Sequence, residues 1–148
     1  MRAAIVVALV VIGTRTGAAQ APARSTTLDV RIDGIITEGA TTTHLGVGVA
    51  RRMSRNVGMQ VVIGAGATTS GDGDTLGSGR ADVLARFSPA PADANGWAAY
   101  ASAGAGAIVR RESKGSAVLV VLLGVQKRRG FVEAGLGGGA RVGAGVRF

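Results

Sequence analysis

The side chains with a claim to chemistry are few and scattered. The single histidine, His44, stands beside Thr43 and a short way from Glu38. A general base needs an orienting partner and a nucleophile within reach. No such set can be placed around His44, so it reads as a rim or loop residue and no catalytic residue is assigned. The absence of cysteine excludes disulfides, thiolate metal sites and thiol nucleophiles, and one histidine is too few for a transition-metal centre. Gly71-Asp72-Gly73-Asp74 offers hard oxygen ligands, but residues 78–80 supply none of the further ligands that a calcium loop of the EF-hand kind requires. It reads as a surface loop. The pairs Gly104 with Gly106 and Gly135 with Gly137 do not complete a dinucleotide-binding fingerprint, and no Gly-Lys-Ser/Thr follows a glycine loop, so no cofactor and no metal is expected.

Positive charge is the other candidate chemistry. The 17 Lys and Arg outnumber nine Asp and Glu, for a formal charge of +8. Arg51-Arg52, Arg110-Arg111 and Lys127-Arg128-Arg129 are divided among separate turns rather than gathered on one face, which argues against nucleic acid as a partner. At membrane surfaces these groups have a use. Arg110, Arg111 and Lys114 would meet phosphates of surface glycolipid, while Arg51, Arg52 and residues 127–129 would meet headgroups on the opposite side.

The elements that must carry these residues begin after a leader. Arg2, the apolar run of residues 3–12 and the small-residue stretch of residues 16–23 follow the order of a secretory signal peptide. The run is about half the length of a spanning helix. Residues 1–23 are therefore expected to be removed, leaving residues 24–148 as one domain with a charge of +6, since Arg2 and Arg15 leave with the leader.

Downstream, the dominant period is two, the period of strands. Leu28, Val30, Ile32 and Ile36 oppose Asp29, Arg31 and Asp33. Leu45, Val47 and Val49 alternate with Gly46, Gly48 and Ala50. Val57, Met59, Val61, Ile63 and Ala65 oppose Gly58, Gln60, Val62 and Gly64. Ala81, Val83, Ala85 and Phe87 oppose Arg80, Asp82, Leu84 and Arg86. Residues 97–109 and 117–125 are apolar on both faces and leave their facing open, with Trp97, Ala99 and Ala101 placed outward. Val132, Ala134 and Leu136 oppose Glu133 and Gly135, and Val142, Ala144, Val146 and Phe148 oppose Arg141, Gly143, Gly145 and Arg147. Turn-forming residues fill the connections: 38–42, 68–78, 110–116 and 137–139 after odd strands, and 51–56, 88–96 and 127–130 after even ones. Eight strands of roughly 9–11 residues leave connections of ordinary length, whereas ten would not fit around the 12-residue stretch that begins at Thr68.

Such a chain closes as an antiparallel up-and-down β-barrel, and alternation alone leaves open which face is inside. An exported chain with charges of both signs on its glycine-bearing face favours a polar lumen and a lipid-facing apolar exterior. The expected lumen network is Asp29, Arg31, Asp33, Arg80, Asp82, Arg86, Glu133, Arg141 and Arg147. Eight strands enclose room for packed side chains and no wide aqueous channel. The aromatics available for membrane girdles are Phe87, Trp97, Tyr100, Phe131 and Phe148, with Phe87, Trp97 and Phe148 all near the end of the even connections.

The segment 141–148, with Val142, Ala144 and Val146 stepping by two to Phe148, resembles the terminal strand of bacterial outer-membrane β-barrel proteins, and residues 79–83 and 131–134 look like strands of the small OmpA/OmpX-type group. The resemblance implies an all-β, eight-stranded transmembrane barrel after a cleaved signal peptide, located in the outer membrane. It further implies partners in outer-membrane lipid and the outer-membrane assembly machinery, for which Val142, Ala144, Val146 and Phe148 would be the assembly signal. The expected protein is a monomer without catalytic activity, with a structural or surface-interaction role. The alternative is a small-molecule binding or narrow-channel barrel, or a soluble lipocalin-like carrier.

Overall fold

The computed structural model describes residues 26–89, 96–111 and 114–148; the leader read at residues 1–23 lies outside them. Eight strands follow in chain order: β1 (Thr26–Thr37), β2 (Ala40–Arg52), β3 (Val57–Ser70), β4 (Thr75–Phe87), β5 (Trp97–Arg110), β6 (Ser116–Lys127), β7 (Gly130–Leu136) and β8 (Ala140–Arg147). Each pairs antiparallel with its sequence neighbours, and β1 pairs with β8 to close the barrel. The seam runs from Asp29 opposite Arg147 to Ile36 opposite Ala140. Leu28 and Phe148 extend it with reciprocal backbone hydrogen bonds of 2.7 and 3.1 Å. We call the end where β1 begins and β8 finishes the base, and the opposite end the crown.

Several strands outrun the 9–11 residues expected of them, and the connections shrink to match. The loop read at residues 68–78 is a tight turn at 71–74, with Gly73 at φ 94°. Its Thr and Ser residues are strand, because ladder hydrogen bonds run on past the apolar band, where polar outward side chains meet water. Ser70 and Asp74 fasten the turn: the Ser70 backbone N–H and hydroxyl both donate to the Asp74 carbonyl, at 2.9 and 3.1 Å. The Ser70 hydroxyl also holds the exposed Asp72 carboxyl below its ordinary carboxylate range. The connection at 38–42 shortens to 38–39 and that at 127–130 to 128–129. The crown connections therefore span five residues or fewer, and the longest connection by sequence, 88–96, joins two strands at the base. β7 and β8, of seven and eight residues, are the shortest strands.

Burial alternates along the middle of the strands. The exterior row includes Val30, Ile32, Leu45, Val47, Val61, Ile63, Val83, Val121, Leu123, Val142 and Val146, each of them 44% or more exposed. No outward strand position is charged except Arg51 and Lys127, both at the base edge. The two ambiguous strands now have a facing. β5 turns Trp97 outward and Tyr100, Ser102 and Ile108 inward, and β6 turns Leu119, Val121 and Leu123 outward and Val120 and Leu122 inward. The interior is thus less polar than expected, because Leu84, Val120 and Leu122 form a buried apolar cluster with Val118 against it. That wall explains why the sequence of β6 is apolar on both faces. Tyr100 and Phe131, counted among the girdle aromatics, are 3% and 4% exposed and belong to the interior. The aromatics left outside are Phe87, Trp97 and Phe148, all toward the base.

Candidate functional site

The interior charges are arranged by strand pairing, with large inward residues set across from glycine. Arg31 lies opposite Gly46 and Gly145, Asp29 opposite Gly48, Asp33 opposite Gly143, Arg80 opposite Gly64 and Asp82 opposite Gly106. Tyr100 and Glu133 both face Gly124. In a barrel this narrow, a cross-strand neighbour with no side chain is the space into which a long one folds. A Cβ on Gly48 would lie 2.6 Å from an Asp29 carboxylate oxygen, and one on Gly143 at 2.6 Å from Asp33 Oδ1.

Two knots of charge fill that space. Nearer the crown, Arg80 Nη2 donates to Asp33 Oδ2 at 2.6 Å and Arg141 Nη2 to Asp82 Oδ2 at 2.8 Å. Cross-links of 3.6 Å from Arg141 to Asp33 and 3.7 Å from Arg80 to Asp82 tie the two pairs together. Nearer the base, Arg31 bridges Asp29 at 3.0 Å and Glu133 at 2.7 Å. Gln60 donates to the other Asp29 oxygen at 2.9 Å and the Tyr100 hydroxyl to Glu133 Oε2 at 3.0 Å. Asp29, Arg31, Asp33, Arg80, Asp82, Glu133 and Arg141 are all 5% exposed or less. Buried charges persist only when paired and hydrogen-bonded. Each of these seven makes at least one charge-assisted bond, while Asp33 Oδ1, Asp82 Oδ1 and donors of Arg31, Arg80 and Arg141 are left without one among the described residues.

The remaining two charges read into the network also face inward, but are tied to it more loosely. Arg86 Nη2 and Arg147 Nη1 both donate to one neutral atom, Gln126 Oε1, at 2.7 Å each. The nearest carboxylate contact of Arg147 is 4.0 Å, to Asp29, and the Arg86 guanidinium stacks 3.4 Å from the centroid of the Tyr100 ring. Alternation placed both arginines inside, and Arg147, opposite Asp29 on the seam, marks the base end of the network.

His44 is a second correction. It is wholly buried, not a rim residue, and its Nε2 lies 2.9 Å from Ser78 Oγ. Its strand begins at Ala40, inside the connection read at 38–42, which carries the ring down into the interior. Thr42 and Thr68 pair at 2.8 Å above it. Among the described residues no group of three or more His, Asp or Glu is gathered to hold a metal ion. The row read as an assembly signal is outward: Val142, Val146 and Phe148 are 53%, 44% and 64% exposed.

The glycine rule is testable. Gly48→Ala should cost about 1–3 kcal/mol, the usual range for overpacking, because Asp29 is pinned by Arg31 and Gln60 and cannot swing away. Outward Gly34, where a Cβ would meet Val142 at an ordinary 3.5 Å, should accept alanine at no cost. Urea midpoints of the two variants folded in the same micelles make the comparison. Equal midpoints would refute the cradle.

The fold is similar to that of the N-terminal β-barrel domain of Pseudomonas aeruginosa OprF, with a TM-score of 0.53 at 16% sequence identity, covering 84% of this chain and 99% of that one. No protein-family model and no curated protein matches the sequence. The chain has the closed eight-stranded architecture of the small OmpA-type barrels that its last strand resembles.

Proposed function

We propose that this protein is a non-enzymatic integral barrel of the outer membrane, exported by the signal in residues 1–23, whose role is structural. The observation that carries the reading is the division of charge. The outward face of eight strands is uncharged from the crown down to Arg51 and Lys127, while the nine Asp, Glu and Arg residues of the expected lumen network, from Asp29 to Arg147, face inward. Water would reward the opposite arrangement; hydrocarbon requires this one. The fold shared with an outer-membrane protein's barrel domain supports the same location. Lipid is then the principal partner, and the row Val142, Ala144, Val146 and Phe148 on the closing strand is the proposed contact with the assembly machinery.

Short crown turns favour a structural role over surface recognition, which usually employs longer loops. The paired charges and the Leu84, Val120 and Leu122 cluster fill the middle of the barrel, and this weighs against the channel reading, which needs a continuous open path.

Fractionation combined with a heat-shift gel tests the proposal. The protein should sediment with outer membranes and migrate differently with and without boiling. Recovery in the soluble periplasmic fraction would overturn it.

A further inference from the structure

At the base, below the knot around Arg31, the interior opens into a cavity of about 410 Å³ whose wall includes Arg51, Arg52, Arg55, Arg86, Arg147 and Gln126. Five cations line it, and none of the described residues lining it is a carboxylate. The two innermost are the arginines that share a single neutral acceptor, Gln126 Oε1. Arg86 Nη1 and Arg147 Nε are buried there without a hydrogen-bond partner among the described residues. Two guanidiniums converging on one amide oxygen repel one another, and each keeps a donor that water reaches poorly. Elsewhere in the interior every arginine named above bonds a carboxylate directly; here the nearest carboxylate is Asp29, at 4.0 Å from Arg147.

A tetrahedral oxyanion supplies a direct partner. It brings negative charge between two like charges and offers acceptors for the guanidinium N–H groups of Arg86 and Arg147 that line the cavity, a geometry that arginine matches well. Arg51, Arg52 and Arg55 are exposed at the rim, where they raise the local anion concentration and draw it inward. We propose that the base of the barrel binds a phosphoryl group, with Arg86 and Arg147 as the anchoring pair and Arg52 and Arg55 as the entry. The group comes from a free phosphate or phosphate ester, or from the headgroup of a neighbouring lipid. The site depends on the interior geometry alone, so its failure would leave the membrane reading untouched.

The test is calorimetric titration of inorganic phosphate and pyrophosphate into the whole folded chain in dodecyl maltoside micelles at low ionic strength. One saturable site per chain is expected, weakened by added salt. Arg86→Gln and Arg147→Gln should each weaken it by about tenfold or more, as loss of a charge-assisted bond does. A heat-shift gel reports whether they fold. If they do not, the exposed-rim pair Arg52→Gln with Arg55→Gln carries the test and should weaken binding and flatten its salt dependence. Repeating the titration in lipid discs separates the sources. Saturation in both phosphatidylcholine and phosphatidylglycerol discs identifies a free phosphate ligand; saturation in phosphatidylcholine discs only identifies a competing headgroup. Absence of saturable binding in micelles and in both kinds of disc would overturn the proposal. So would affinity unchanged in folded Arg86→Gln or, where that variant does not fold, in the rim pair.

Discussion

Replacing Asp33 with alanine is expected to cost the barrel about 3–5 kcal/mol, the usual result of removing one partner from a buried ion pair. Asp33 is the point on which three arginines converge: Arg80 at 2.6 Å, Arg141 at 3.6 Å and Arg31 at 4.0 Å. Its loss leaves Arg80 with only the 3.7 Å contact to Asp82, which already serves Arg141 at 2.8 Å. The cost comes from uncompensated charge rather than from the absence of a favourable bond. Removing both charges should therefore restore most of the stability. Asp33→Leu combined with Arg80→Met leaves Arg141 paired with Asp82, and apolar groups of similar volume replace a buried pair at little cost. Urea unfolding in lipid vesicles, followed by Trp97 fluorescence and by gel mobility, measures both variants. An Asp33→Ala barrel within about 1 kcal/mol of the parent would show that the network is hydrated and contributes little.

The second large effect lies on the outside. Ile63 is 55% exposed at the middle of β3, between Val47 and Ala81 on the neighbouring strands. Ile63→Arg should destabilise the vesicle-inserted barrel by about 2–4 kcal/mol, as an arginine does at the bilayer midplane. The same change at Val57, the first residue of β3 and close to the base, should cost no more than about 1 kcal/mol. In a water-soluble barrel both are surface positions, where substitutions stay within about 0.5 kcal/mol. The gradient between the two sites therefore separates lipid from water outside the barrel. Equal, small effects would place water there.

Much of this architecture was legible in the chain because period-two alternation assigns each residue to a face. The eight strands, their order and the inward set from Asp29 to Arg147 follow from it. Alternation fails where both faces carry the same chemistry, as in β6, whose inward Val120 and Leu122 are as apolar as its outward Leu119 and Val121. It also reports nothing about height along the axis. It therefore did not show that Arg86 and Arg147 meet at Gln126 at the base end of the network, and His44 looked like a rim residue although it is enclosed. Turn-forming composition misled at residues 68–78, where Thr and Ser continue the ladder beyond the apolar band. One signal could have carried further. Inward glycines alternate with long charged residues on the adjoining strand, as Gly48 does with Asp29 and Gly143 with Asp33, and that complementarity constrains register directly.

The shortness of β7 and β8 bears on the membrane itself. A seven-residue strand at the tilt usual in such barrels rises only about 16–19 Å, below the roughly 25 Å of a typical lipid-facing band. β3, with 14 residues, exceeds that height. Lipids beside β7 and β8 therefore meet a wall too low for a relaxed bilayer, while those beside β3 do not. The hydrophobic mismatch is one-sided, so inserting this barrel should pinch the membrane along one flank and draw shorter acyl chains to it.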